Sequence, residues 1–172
     1  MSQSMDHTAP IFKACRDGDI VAVEELINKG VNVNIVSNFE TSPLQYSIAW
    51  DHFDICRKLI EEGNANVNGD GTNVPLITAA RNNKHHMVVY LLNHGADINA
   101  QNDTGWTALR QATNYQYMGM VYKLLDEGAD YEIEDNEGLK PLEALIPEYR
   151  KNIDDYIKYV LGHGKNIKGA KN

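Results

Sequence analysis

The sequence predicts an all-α solenoid, a row of five helix–turn–helix units, on three observations. A short motif recurs as Ala9-Pro10-Ile11, Ser42-Pro43-Leu44, Val74-Pro75-Leu76, Thr107-Ala108-Leu109 and Lys140-Pro141-Leu142, its middle position falling at 10, 43, 75, 108 and 141. An apolar pair and then a glycine recur between these motifs: Leu26-Ile27 before Gly30, Leu59-Ile60 before Gly63, Leu91-Leu92 before Gly95, Leu124-Leu125 before Gly128. A tetrapeptide rich in Asn and Asp follows: Val31 to Asn34, Ala65 to Asn68, Ala96 to Asn99, Ala129 to Glu132. A fixed period of this length marks small units that can bury their apolar faces only against one another.

The third unit shows why each element forms. Pro75 suits the first turn of a helix, where its missing N–H leaves no bond unmade. Ala79-Ala80 is small enough for a neighbouring helix to approach closely, and Asn82-Asn83 ends the helix because Asn tolerates the left-handed conformation. Met87, Val88, Leu91 and Leu92 then place one apolar stripe on a second helix, which Gly95 stops. Ala96 to Asn99 turns the chain outward, its Asx side chains holding the turn, and Asp103-Thr104-Gly105 brings it back. The last unit is irregular. Pro147 cuts its first helix short, the next helical run from Tyr149 to Leu161 is longer, and Tyr149, Arg150, Lys151, Asp154, Asp155 and Lys158 keep an outer face wet, as a closing cap requires.

Bulk composition excludes several functions. The chain has 172 residues, 42% hydrophobic and 23% charged, ordinary for a globular domain, and a net charge of -8. That charge argues against nucleic acid, whose binding needs clustered Lys and Arg, and favours a soluble monomer through self-repulsion. No apolar run approaches membrane-spanning length, and residues 1–10 show no secretory signal. Cys15 and Cys56 read as reduced, buried small hydrophobes, so the expected compartment is cytoplasmic, with the nucleus open.

Pro-Leu, small residues, a helix break, an apolar pair and Gly-Ala-Asp-Ile-Asn together resemble the ankyrin repeat, over roughly residues 8–164. The units run approximately 8–40, 41–72, 73–105, 106–138 and 139–164, between a flexible N-terminus (1–7) and a disordered basic tail (165–172) carrying Lys165, Lys168 and Lys171. The resemblance implies β-hairpin fingers between helix pairs, a curved stack with a concave face, and protein–protein recognition without catalysis or cofactor. Two departures stand out. Phe12, Gln45, Ile77, Arg110 and Glu143 occupy the position of the family's His, which implies a less rigid turn network. Asn64 is an extra residue after Gly63, and the stretch from Asn68 to Leu76 is two residues shorter than its counterparts, so the finger at Gly69-Asp70-Gly71 should be short and leave a notch.

In ankyrin-type stacks the finger tips and the outward positions of the first helices face the groove. That rule selects Phe39, Trp50, Arg81, Asn82, Trp106, Asn114 and Tyr115 as partner-binding candidates, and both tryptophans of the chain fall among them. Trp, Tyr and Arg dominate binding hot spots; the alternative is that Trp50 and Trp106 merely pack on neighbouring fingers. Asp103, Glu134, Asp135 and Glu137, beside Arg81 and Arg110, would act as exposed charges that steer a partner of mixed polarity. The expected function is a scaffold or inhibitor; the alternative is a regulatory subunit or secreted effector that docks an enzyme to its target.

Other chemistry is set aside. Glu24-Glu25, Glu61-Glu62 and Asp154-Asp155 point apart on a helix, and His85 and His94 lie about 13 Å apart along one, too far for a shared metal. No enclosed apolar pocket for a small ligand is implied. Asn34 and Asn99, each eight residues after a Leu, resemble asparaginyl hydroxylase substrates, although a turn-stabilising role explains them equally well.

Overall fold

The computed structural model describes residues 10–162; the expectations for 1–7, Gly164 and the 165–172 tail fall outside them. Four helix pairs come first: α1 (Pro10–Asp17) and α2 (Ile20–Asn28), α3 (Pro43–Ala49) and α4 (Phe53–Glu61), α5 (Pro75–Arg81) and α6 (His85–Asn93), α7 (Ala108–Asn114) and α8 (Met118–Asp126). A single 3-10 turn (Pro141–Ala144) and the longer α9 (Pro147–Gly162) complete the chain. The first helices stack in series, α1 on α3, α3 on α5, α5 on α7 and α7 on the 3-10 turn, while α2 packs on α4 in a second row. This translational regularity is the predicted solenoid.

The repeated motif is the spine of the core. Ile11, Leu44, Leu76, Leu109 and Leu142 are all buried, with Ala79, Ala80 and Ala112 fully enclosed between successive helices. Leu59, Leu91 and Leu124 from the second helices close the layer behind them. Ser42 and Thr107 cap α3 and α7 through their side-chain oxygens, and Asp19 caps α2. Each such cap contributes about 1 kcal/mol, which matters for helices only seven to nine residues long.

The junctions are joined by a ladder that the spacing alone did not reveal. The first Asx residue of each tetrapeptide bonds its own backbone, as at Asn34 N–H to Asn32 Oδ1 (2.9 Å). The second reaches the next unit. Asn34 accepts from Asn66 N–H (2.7 Å) and donates to Asn64 C=O (2.9 Å). Asn68 accepts from Asp97 N–H (2.7 Å), and Asn99 accepts from Asp130 N–H (2.9 Å).

Two expectations are corrected. No strand forms among the described residues, so the fingers are turn-closed loops and not β-hairpins. Finger 1 (37–41), finger 3 (102–106) and finger 4 (135–139) are each closed by two backbone bonds: Ser37 N–H to Thr41 C=O, Asn102 N–H to Trp106 C=O and Asp135 N–H to Leu139 C=O (3.0 Å each), and Glu40 N–H to Ser37 C=O (2.8 Å), Gly105 N–H to Asn102 C=O (2.9 Å) and Gly138 N–H to Asp135 C=O (2.9 Å). The N–H groups of Thr41, Trp106 and Leu139, which a strand pair would return across the finger, go instead to the side chains of Ser37, Asn102 and Asp135. Gly63 is also not the left-handed stop that Gly30, Gly95 and Gly128 are; the inserted Asn64 takes that conformation (φ 54°).

Finger 2 (69–73) turns as sharply as its length demands. Gly69 sits at φ 70°, and a Cβ there would lie 1.6 Å from Asn73 O. Gly69→Ala is therefore expected to cost well over the roughly 1–2 kcal/mol of left-handed strain alone. Gly30→Ala, at φ 75° with open space around it, should cost only that strain. Urea denaturation of the two variants measures the difference.

Candidate functional site

Between the fingers and the first helices lie two adjoining cavities. One, of about 210 Å3, is bounded by finger 1 (Phe39, Thr41), α3, finger 2 (Asn73) and α5. The other, of about 530 Å3, is bounded by α5, finger 3, Gln111 of α7, Tyr115 and finger 4. Arg81 and Asn102 border both, so the two form one groove across units two to four.

Four of the seven candidates meet in this groove: Phe39 and Arg81 in the smaller cavity, Arg81, Trp106 and Tyr115 in the larger. Phe39 stands at its finger tip 74% exposed, and Tyr115 is 46% exposed. Trp50, at the end of α3, is 57% exposed but borders neither cavity. Asn82 donates to Thr78 C=O (2.8 Å) at the end of its own helix, and exposed Asn114 likewise lies outside both cavities.

Behind Trp106 of the groove wall lies a charged pair that the sequence placed elsewhere. Arg110 and Asp135 were expected as exposed steering charges; both are buried, with Arg110 Nε donating to Asp135 Oδ2 (3.0 Å). The reason is the shared position of Ser37, Asp70, Asn102 and Asp135, whose side chains all accept N–H groups of their own finger. Asp135 accepts from Glu137 and Leu139 N–H (3.0 Å each), which draws it inward. Burial pushes its carboxyl up, yet those donors and the Arg110 guanidinium outweigh burial and hold it below the usual aspartate range. Arg110 also lies under the Trp106 ring, 4.6 Å from its centroid, a cation–π contact that fixes the indole. Tyr115 is stacked on Tyr117 at 5.5 Å.

The family's missing His is replaced at two junctions. Gln45 completes a capping box with Ser42 and donates across to Thr78 Oγ1 (3.1 Å), while Arg110 reaches Asp135 of the next finger. Fingers 3 and 4 are clamped together by Asn136 N–H to Thr104 C=O (3.2 Å), Asn136 Nδ2 to Asp103 C=O (2.8 Å) and Gln101 Nε2 to Glu134 C=O (3.0 Å). Asn34 and Asn99, the hydroxylation candidates, use their amides in the junction ladder.

Among the described residues no group of three or more His, Cys, Asp or Glu could hold a metal ion. Burial pushes the thiols of Cys15 and Cys56 up to about 12, so neither is a thiolate nucleophile near neutral pH. No helix among the described residues is long and apolar enough to cross a membrane.

A stack of helix pairs with a finger-lined groove defines a repeat protein of the recognition class. The family model for ankyrin repeats (three copies) matches residues 2–70 and 64–135, and the chain belongs to the ankyrin repeat family. It is 31% identical over 140 residues to an ankyrin repeat domain-containing protein of Stachybotrys chartarum, covering 81% of this chain and 7% of that protein. It is 30% identical over 152 residues to an ankyrin repeat protein of fowlpox virus, covering 83% and 44%. It is 28% identical over 130 residues to a human transient receptor potential cation channel, subfamily A member 1, covering 73% and 12%. The chain thus spans less than half the length of each. Ankyrin repeats are protein–protein interaction modules, typically without catalysis.

Asp135 gives a pH test. Its folded pKa lies below the unfolded value, so its contribution is complete above the unfolded pKa of about 4 and is lost as pH falls through the folded value. Asp135→Asn should destabilise by roughly 3–5 kcal/mol, because it strands a buried guanidinium, and should flatten the acid limb of a stability–pH profile below about pH 4.

Proposed function

We propose that this chain is a non-catalytic scaffold or inhibitor that takes a segment of a partner protein into the groove and against the finger tips. The observation that carries this reading is the meeting of Arg81, Trp106 and Tyr115 around one cavity of about 530 Å3. Trp and Tyr offer large rigid contact area at low entropic cost, and Arg adds directional donors. The Arg110–Asp135 pair under Trp106 and the clamp between fingers 3 and 4 hold that wall in place before a partner arrives, which lowers the ordering cost of binding. Two buried free thiols suit a reducing, cytoplasmic or nuclear compartment, and the net charge of -8 suits a monomer.

The test pairs two measurements on Trp106→Ala/Tyr115→Ala: thermal melting, and retention of partners captured by the intact chain. Retention should fall about tenfold or more, the loss expected when two hot-spot aromatics are truncated. The melting temperature should fall by only a few degrees, at roughly 2–4 °C per kcal/mol for a chain of this size. A Glu24→Gln/Glu25→Gln control on α2 should retain partners normally. Unchanged retention by the aromatic variant, or a loss that merely follows unfolding, would defeat the reading.

A further inference from the structure

The notch at finger 2 has a chemistry of its own. Its cavity, about 210 Å3, is bordered by Thr41, Gln45, Thr72, Asn73, Thr78 and Asn102, and the one charged residue bordering it is Arg81. At about 30 Å3 for each water in the liquid, that volume accommodates a side-chain carboxylate with its nearest solvent. Arg81 is exposed at the end of α5 and makes no ion pair among the described residues. The ion pairs of nearby charges leave it out: Lys84 pairs with Asp51, whose other oxygen lies 3.1 Å from His86 Nε2, and Arg110 with Asp135. Asp103 borders the adjoining cavity with Arg81, without an ion pair to it.

Asn73 supplies a second, independent observation. Its backbone N–H is bonded to Asp70 (2.9 Å), but its side-chain Nδ2 is buried with no acceptor among the described residues. A buried amide donor left unmade costs about 1–3 kcal/mol, and since the nitrogen has almost no accessible surface, that cost is relieved only when the side chain turns toward an acceptor in the notch. Asn73 borders the notch because finger 2 is short and turns at Gly69. A guanidinium without an ion pair in an otherwise uncharged cavity, with an unmet amide donor in the bordering finger, suits an acceptor of negative charge. A net charge of -8 disfavours an acidic segment at long range, so a cation free of ion pairs inside the groove favours one register for it.

We infer that the notch is the specificity pocket for an acidic side chain, Asp or Glu, of an extended partner segment, whose carboxylate accepts from Arg81 and draws the Asn73 amide round to donate to it. The segment continues past Arg81 into the larger cavity, where Trp106 and Tyr115 receive an apolar or aromatic residue. This rests on the groove being the partner surface and adds the charge that the partner must bring.

The experiment follows the side-chain N–H signals of Arg81 Nε and Asn73 Nδ2 by NMR in the full chain. The probes are the blocked peptide acetyl-Gly-Glu-Gly-Gly-Trp-Gly-amide, its Gln counterpart, and inorganic phosphate. The Glu peptide should shift both signals saturably, the Gln peptide should bind about tenfold more weakly, and phosphate at equal concentration should leave Asn73 unmoved. Arg81→Gln should lose about tenfold in affinity for the Glu peptide with no change in melting beyond a few degrees. Equal binding of the Glu and Gln peptides, no shift at Asn73, or an equal shift by phosphate each overturns the inference. If these fail while Trp106→Ala/Tyr115→Ala still releases captured partners, the groove stands as the binding surface and only the acidic pocket is lost.

Discussion

Everything in this molecule depends on what happens where one unit meets the next. A pair of helices only seven to nine residues long cannot persist alone in water, since nucleation costs more than so short a run of hydrogen bonds returns. Leu44, Leu76 and Leu109 become core residues only because the following first helix covers them. Packing alone would tolerate sliding of one unit over another. The side chains of Asn34, Asn68 and Asn99 remove that freedom, each being placed against backbone groups of the next unit at a single register. Stability is then a sum over units and junctions, and the junction term is the larger partner.

The same junctions shape the groove. Between units three and four the fingers are clamped through Asn136 and Gln101, and the buried Arg110–Asp135 pair sits below Trp106. That end is rigid by construction. Between units two and three the short finger leaves an opening, so the groove has a firm aromatic wall at one end and a polar notch at the other. A buried ion pair adds little net stability against its desolvation, and its value here is geometric: it holds one ring and one finger in fixed relation.

Much of the candidate site could be read from position within the repeat. Phe39, Arg81, Trp106 and Tyr115 reach the groove because finger tips and helix ends fall at fixed offsets from each Pro-Leu motif. Trp50, Asn82 and Asn114 share those offsets and yet stay out of both cavities, Asn82 because its amide is spent on Thr78 C=O of its own helix. Asp135 was misjudged because an acidic residue on a finger reads as solvated. Only the folded turn shows that two N–H groups and a guanidinium converge on it.

Periodicity determined the architecture: the recurrence of one Pro-Leu-like motif, one apolar pair and one helix stop requires neighbouring units to bury each other's stripes, and the short finger was visible as missing residues. Side-chain partners across the junctions were beyond its reach. Gln45 with Thr78, Arg110 with Asp135, and the orphaned amide of Asn73 are separated from their surroundings by 25 residues or more, or defined by an absent acceptor. Such pairings are set by the rise and lean of one unit on another, quantities that exist only in the assembled stack.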